Sequence, residues 1–268
     1  MVPSPQTMRR RLQLGVEWHD LTSISNLARL KELLHPVPWL IGSLALAQAE
    51  MTFLALPCSF MFFLTALRLN HEAIHRNIGI PSAGHHGVLF VLSVLMLGSN
   101  HAVAFNHLRH HRDCMQPQDI EGACGRMSAW QVLRFGPLYP IRQHLSAMRE
   151  TRAADRGFII AELVANALWI AGALLSGVVA LRYHVAVTAL AQCLTAFFAV
   201  WTTHHDCDAE GLYARTQRGW LKNLMSYNMF YHLEHHLFPK VPVSKMRELA
   251  RRLDSAAARI GVKPAYIF

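Results

Sequence analysis

Residues 37–69 read VPWLIGSLALAQAEMTFLALPCSFMFFLTALRL, a stretch in which apolar side chains dominate. The hydrocarbon core of a bilayer is about 30 Å thick, and a helix needs about 20 residues to cross it. This stretch is too long for one crossing, and Gln48 and Glu50 lie at its centre. A charged side chain facing lipid there would cost about 3 kcal/mol. We therefore predict two membrane helices with a turn near Gln48 to Thr52.

Further along the chain, three more apolar stretches follow. Residues 86–99, HGVLFVLSVLMLGS, are too few for a full crossing, and we expect a short re-entrant or interfacial helix there. Residues 157–177 and 184–203 are each long enough to cross, and a short loop containing Arg182 joins them as a second hairpin. The sequence thus predicts an all-α integral membrane fold with four transmembrane helices in two hairpins.

Composition and charge support this interpretation. Of 268 residues, 52% are hydrophobic and only 16% are charged, although the net charge is +9. The basic residues are concentrated at positions 1–36, 101–157 and 206–268, which by the positive-inside rule places both termini on the cytoplasmic side. Contact with membrane lipids follows. A nucleic-acid partner is not expected. Such a partner binds a basic face on a soluble fold, and the long apolar stretches of this chain argue against a soluble fold.

The domain organisation is predicted to be simple. No internal repeat or long polar linker interrupts the chain, so we expect a single domain over 1–268. It comprises a cytoplasmic N-terminal segment (1–36), a membrane stem (37–205) with a cytoplasmic loop (100–156), and a cytoplasmic C-terminal part (206–268). The cytoplasmic loop and the C-terminal part are expected to form a helical cap on the membrane stem. The five cysteines show no paired spacing, which argues against disulfides or a zinc ribbon.

Histidine is the residue type that carries chemistry here. Eight of the 17 histidines fall into three motifs: His71-Glu-Ala-Ile-His75, His107-Leu-Arg-His110-His111 and His232-Leu-Glu-His235-His236. On a helix, residues three or four apart share a face, so each motif can aim its imidazoles at one point. Imidazole binds iron, copper and zinc alike. Because all three motifs lie on the predicted cytoplasmic side, the sequence predicts one shared metal centre.

Other polar residues are candidates for supporting this centre. His204 or His205, at the end of the last predicted span, is a possible ninth ligand. Metal-bound histidines usually donate their second N–H to a carboxylate or carbonyl. The carboxylates placed to accept it are Glu72, Asp113, Asp119, Asp206 and Glu234, of which the two inside motifs are the stronger candidates.

Two other classes of protein also use histidine-rich sites. A metal transporter or sensor normally carries polar ligands inside its spans, whereas here they lie outside the apolar runs. A zinc hydrolase uses three protein ligands and a water, fewer than the eight or nine histidines in this chain.

The motifs HEAIH, NHLRHH and YHLEHHLFPKVP resemble the three histidine boxes of the membrane fatty-acid desaturase and hydroxylase superfamily over roughly residues 60 to 250. The resemblance implies a cytoplasmic centre of two iron ions and O2-dependent attack on an unactivated C–H bond. The implied ligands are the eight motif histidines, with His204 preferred to His205 as the ninth. The first motif is shorter than the family's usual HxxxHH or HxxxxH, which leaves the substrate open.

The implied reaction is desaturation of a fatty acyl or other lipid-like chain. The alternative is a hydroxylase or ketolase acting on an alkyl, carotenoid or other lipid-like substrate. Neither a cysteine cluster nor a GxGxxG fingerprint is present, so a separate electron donor of ferredoxin, rubredoxin or cytochrome type is expected. Aromatic side chains predicted to line an apolar path for the substrate are Phe60, Phe62, Phe63, Trp169, Phe197 and Phe198.

Overall fold

The computed structural model describes Arg10 and residues 12–207, 212–261 and 266–267. The described residues are predominantly helical, as predicted, with no β-strand beyond an isolated bridge between Thr216 and Tyr266. The α-helices are α1 (Asn26–Leu34), α2 (Val37–Gln48), α3 (Thr52–His75), α4 (Ser82–Met96), α5 (Asn100–Asp113), α6 (Ala129–Phe135), α7 (Leu138–Glu150), α8 (Ala153–Leu175), α9 (Val179–His204, with a π-helical turn at Ala196–Trp201), α10 (Trp220–Met225), α11 (His232–Leu237) and α12 (Met246–Ile260).

Three of these helices are long and apolar enough to cross a membrane: α3, α8 and α9, with 24, 23 and 26 residues. The pair α4 and α5 adds a fourth only if the two helices, bent by 111°, count as one span. The predicted first span corresponds to α2, which has 12 residues and falls short of the about 20 needed for a crossing. The described part of the chain therefore holds three or four candidate spans.

The long helices expose apolar side chains and bury polar ones. Phe53, Leu168 and Leu175 are 89%, 70% and 85% exposed, whereas Glu162 in the same helix as the leucines is fully buried. Soluble proteins show the opposite distribution of charged and large apolar residues. An apolar outer surface with polar groups inside suits a lipid environment.

Polar contacts join α2, α3 and α9 in the part of the bundle that lies away from the histidines. The hydroxyls of Ser43 and Ser59 lie 2.7 Å apart, and that of Ser59 lies 2.9 Å from the Tyr183 hydroxyl. Gln48 accepts a hydrogen bond of 3.2 Å from the N–H of Ala180. Buried polar groups are stable only when they are hydrogen-bonded, so these contacts fix the relative positions of α3 and α9. Both helices carry histidines at their C-terminal ends.

The C-terminal region forms its own apolar core. Leu249 and Leu253 on α12 pack with Leu12, Leu233 and Leu237, all nearly inaccessible to solvent. Helix α12 is amphipathic, with Met246, Leu249, Leu253 and Ala257 buried. Its apolar face covers α11, the short helix that carries the third histidine motif.

The surface helix α1 is also tied to the centre of the molecule. Ser25 caps its N-terminus by accepting a hydrogen bond from Ala28 N–H. At its other end, Glu32 forms a buried bidentate ion pair with Arg68 of α3, with both N···O distances at 2.6 Å. Arg68 also donates to the carbonyl of Tyr227, which precedes α11, so one guanidinium joins three segments.

Candidate metal centre

Four helices carry the nine predicted histidine ligands. His71 and His75 lie in the last turns of α3, and His204 ends α9. The second motif lies on α5, whose N-terminus is capped by the Ser99 hydroxyl, and the third motif occupies α11. The structure brings all nine imidazoles together, in two adjoining groups.

The first group, called here the five-histidine cluster, consists of His71, His75, His107, His111 and His235. Their Nε2 atoms face one another. The Nε2 of His235 lies 2.8 Å from those of His71 and His111, and that of His107 lies 3.0 Å from His75 and 3.2 Å from His111. Five nitrogen lone pairs therefore converge on one small volume.

The second group, called here the four-histidine cluster, consists of His110, His204, His232 and His236. The Nε2 of His204 lies 3.2 Å from that of His110 and 2.9 Å from that of His232, which in turn lies 3.2 Å from His236. The rings of His111 and His236 stack with 4.3 Å between their centroids, so the two clusters are in direct contact.

The two HxxHH motifs divide their histidines between the clusters in a crossed pattern. The outer pair of the second motif, His107 and His111, joins the five-histidine cluster, and the middle residue His110 joins the other. In the third motif the outer histidines join the four-histidine cluster and the middle one, His235, joins the first. Relative to residue i, residue i+4 is rotated by about 40° around the helix axis and residue i+3 by about 60° in the opposite direction. The two side chains therefore point in different directions, so one motif can serve two sites.

The nitrogen spacing fits metal ions. For a metal–nitrogen bond of about 2.1 Å, Nε2 atoms separated by 2.8–3.2 Å correspond to nitrogen–metal–nitrogen angles of about 85–100°. Such near-right angles suit five or six ligands around one ion. Burial lowers the pKa of His232, His235 and His236 well below the ordinary value, and the neighbouring imidazoles lower it further. Neutral imidazole is the form that binds metals.

Hydrogen bonds to the second ring nitrogen orient three of these histidines. The Nδ1 of His110 lies 2.7 Å from the Asp119 carboxylate, and that of His107 lies 2.8 Å from Glu121. His204 Nδ1 lies 2.6 Å from the carbonyl of Tyr213. Each acceptor keeps the proton on Nδ1 and leaves the Nε2 lone pair directed into the cluster.

The two carboxylates remain ionised although they are buried. Burial raises the pKa of Asp119, but hydrogen bonds from His110 and from the N–H groups of Gly122 and Met115 outweigh it, and the net pKa is lowered. For Glu121, burial again opposes ionisation and His107 overcomes it. Ionised carboxylates are the stronger acceptors, so they hold the imidazoles firmly.

Of the other four predicted acids, Glu72 approaches a cluster histidine and the remaining three bind other groups. Glu72 is buried, with one oxygen accepting from Val243 N–H and the other 3.7 Å from His71 Nδ1. Glu234 binds Thr216 and Arg218 at 2.6 Å and so anchors α11. The remaining two form ion pairs away from the clusters, Asp113 with Arg112 and the exposed Asp206 with Arg215.

The geometry also separates His204 from His205. His204 lies in the four-histidine cluster, whereas His205 stacks on Trp201 at 4.3 Å between ring centroids and directs Nδ1 to the Trp201 carbonyl.

Sequence reasoning did not single out Glu121. It lies ten residues beyond His111 in a turn with no motif, and only the folded turn brings it to His107. Gly122, next to it, is required by space: a Cβ there would lie 2.1 Å from an Asp119 oxygen and 3.1 Å from His110 Nδ1. Gly122, with Gly125 three residues later, is the sequence signal that this turn packs closely against its neighbours.

A cavity of about 140 Å³ opens beside the clusters. Its lining includes His71, His107 and His232 of the two clusters, and most of the remaining lining is apolar, including Phe63, Leu67, Met96, Val103 and Phe198. Of the aromatic side chains predicted to line a substrate path, Phe63 and Phe198 line this cavity. The site therefore combines two histidine clusters, each of which could hold a metal ion, with an apolar compartment.

Comparison with known proteins gives consistent matches. Residues 49–266 match the family model for fatty acid desaturase. The sphingolipid delta(4)-desaturase DES1 of Rattus norvegicus is 27% identical, with 84% of this chain and 77% of that protein covered. The protein of the same name from Mus musculus is 26% identical, with 82% and 75% covered.

Proposed function

Because the chain belongs to the fatty acid desaturase family, we propose that it is a di-iron enzyme that uses O2 to oxidise an unactivated C–H bond of a fatty acyl or other lipid-like chain. Desaturation is the first candidate reaction and hydroxylation the alternative. Family membership makes the chain an oxidoreductase of this general lipid chemistry, and its candidate spans make it an integral membrane protein. The metal-transporter, metal-sensor and zinc-hydrolase hypotheses are correspondingly set aside.

The observation that carries the proposal is that the two histidine clusters adjoin each other and open onto one apolar cavity. Two irons bound there would supply the reduction of O2 and the hydrogen-abstracting oxidant, chemistry that no side chain provides. The five-histidine cluster would hold one ion and the four-histidine cluster the other. Asp119 and Glu121 would hold His110 and His107 in the metal-binding tautomer.

The cavity would position the substrate. Phe63, Leu67 and Val103 offer an apolar surface to a hydrocarbon chain, and His71, His107 and His232 line the same cavity, so a chain bound there would lie beside the clusters. Exclusion of water by these side chains protects the oxidation from side reactions. The relatives named as sphingolipid desaturases support a lipid with a long hydrocarbon chain as the substrate class.

The arrangement in the membrane is also proposed. A single domain with four spans in two hairpins would place both termini, the histidine clusters and the C-terminal region at the cytoplasmic surface, where a separate ferredoxin, rubredoxin or cytochrome-type donor can reach them. The concentration of basic residues in these regions supports this orientation. Labelling of single cysteines introduced at the termini and at Arg182 tests it, since the termini and Arg182 should face opposite sides.

Metal analysis and product analysis test the function. We expect two irons per chain in detergent-purified protein, and O2-dependent conversion of a lipid when a reduced donor is supplied. An alkene product identifies a desaturase and an alcohol a hydroxylase. Protein that holds zinc and no iron, although iron was supplied during expression, would contradict the proposal.

A further inference from the structure

Beside the four-histidine cluster lies a cysteine that the three histidine motifs do not include. Cys114 follows His110 by four residues, one helical turn further along the same face. Its Sγ lies 3.9 Å from His110 Nε2, and the ligand atoms of His110, Cys114, His204 and His236 all lie within 4.8 Å of one another. The side chain is buried, with 4% of the residue exposed.

The chain turns sharply to place this thiol. Helix α5 ends at Asp113, and Met115 adopts a left-handed backbone conformation with φ of 63°. Asp119 accepts a hydrogen bond of 2.9 Å from Met115 N–H, and Arg126 donates one of 2.6 Å to the Met115 carbonyl. The same turn brings Asp119 to His110 Nδ1. His110 therefore has its hydrogen-bond acceptor on one ring nitrogen and Cys114 near the other, and both come from one loop.

The spacing suits a shared metal ion. With a metal–sulfur bond of about 2.3 Å and a metal–nitrogen bond of about 2.1 Å, a separation of 3.9 Å corresponds to a nitrogen–metal–sulfur angle of about 125°. Metal binding deprotonates a thiol, and the thiolate is a strong ligand for iron and zinc.

The other buried cysteines of the described chain have different surroundings. Cys124 packs in an apolar cluster with Val132, Tyr139 and Val200. Cys207 directs its Sγ toward the Thr203 carbonyl at 4.0 Å. Cys114 is the one cysteine grouped with several histidine nitrogens among the described residues.

We propose that Cys114 is a thiolate ligand of the metal ion in the four-histidine cluster, where its Sγ is grouped with the ring nitrogens of His110, His204 and His236. This rests on the proposed function, in which each cluster holds a metal. One ion would then have imidazole ligands alone, and its neighbour would have a thiolate in addition to its imidazoles. The negative, polarisable sulfur makes the two ions unequal, stabilising the higher oxidation state of the ion it binds.

X-ray absorption at the iron edge of the purified wild-type protein is the direct test. A sulfur scatterer at about 2.3 Å supports the proposal. The same measurement on Cys114→Ser should lose it, while Cys124→Ser, a buried cysteine in apolar surroundings, should keep it. Protein loaded with cobalt gives a second readout, because a thiolate–cobalt charge-transfer band should be present in wild type and absent from Cys114→Ser.

The outcomes separate the two proposals. Wild-type protein with two irons per chain and only nitrogen or oxygen scatterers would overturn thiolate ligation and leave the di-iron function standing. Wild-type protein without bound iron would overturn both. Because the absorption test uses the wild type, a folding defect in Cys114→Ser does not prevent a decision.

Discussion

His110 and His235 hold the same place in two HxxHH motifs, and each directs its imidazole into the cluster that contains the two outer histidines of the other motif. The Nε2 of His110 lies 3.2 Å from His204, and that of His235 lies 2.8 Å from His111. This exchange joins α5 and α11 across both clusters. Neither site can form from one motif alone, so metal binding depends on the docking of α11 against α5.

The exchange predicts unequal effects of two similar substitutions. His235→Gln leaves four imidazoles in its cluster, whereas His110→Gln leaves three in the other and frees Asp119 of its partner. We expect both variants to lose activity by more than about 100-fold, and His110→Gln to lose more metal. Elemental analysis after dialysis against a chelator measures this. His205→Gln is the control, and a metal loss in that variant as large as in the other two would contradict the assignment.

Glu121 should matter more for metal binding than Asp113, the acid that follows the second motif by two residues. Glu121→Gln keeps the size of the side chain but weakens its hydrogen bond to His107, and we expect metal affinity to fall about 10–100-fold. Asp113→Asn, which disturbs a partly exposed pair with Arg112, should have almost no effect. Competition with a metal-binding dye gives both affinities. Equal affinities in the two variants would show that Glu121 does not support the site.

Gly122→Ala should damage the centre without touching a histidine. The added Cβ would lie 2.1 Å from an Asp119 oxygen, so the carboxylate must move away from His110. We expect a loss of about 1–3 kcal/mol in unfolding free energy, typical of overpacking, together with reduced iron content. Gly157→Ala is the matched control, because its Cβ meets nothing within 4 Å. Thermal unfolding and iron analysis of the two variants decide the point.

The features that the sequence predicted are local along the chain, and those that it missed depend on contacts between distant segments. The three motifs follow from helical spacing, which is local, and His204 is found from its place at the end of a span. The division of His110 and His111 between two sites depends on how α5 meets α11, and the role of Glu121 depends on a turn closed by Asp119. Those contacts are not local. Counting apolar residues likewise located the turn near Gln48 but not the shortness of α2.

Filling the cavity should affect the substrate and spare the metals. Val103 lines the cavity, and Val103→Phe would occupy space proposed for the hydrocarbon chain. We expect kcat/KM for the lipid to fall about tenfold or more, with long chains affected most, while iron content stays unchanged. Val91→Phe, on an exposed position of α4, is the control. A parallel fall for short and long chains would argue that the cavity does not hold the chain.

Glu162 should stabilise the helix that carries the second motif. Its carboxylate accepts hydrogen bonds from the Ser99 hydroxyl at 2.5 Å, from His101 N–H at 3.1 Å and from His101 Nδ1 at 2.7 Å, all at the N-terminus of α5. A buried donor left without an acceptor costs about 1–3 kcal/mol. Glu162→Leu removes every acceptor and Glu162→Gln keeps one oxygen.

The expected order of thermal stability in detergent is therefore wild type, then Glu162→Gln, then Glu162→Leu. Glu50→Gln, at an exposed position in the turn before α3, should match the wild type. Because α5 positions His107, His110 and His111, iron should also dissociate faster from Glu162→Leu. If Glu162→Leu were as stable as the wild type, the carboxylate would not stabilise α5. The position of α5 would then depend on its packing against α7 and α8.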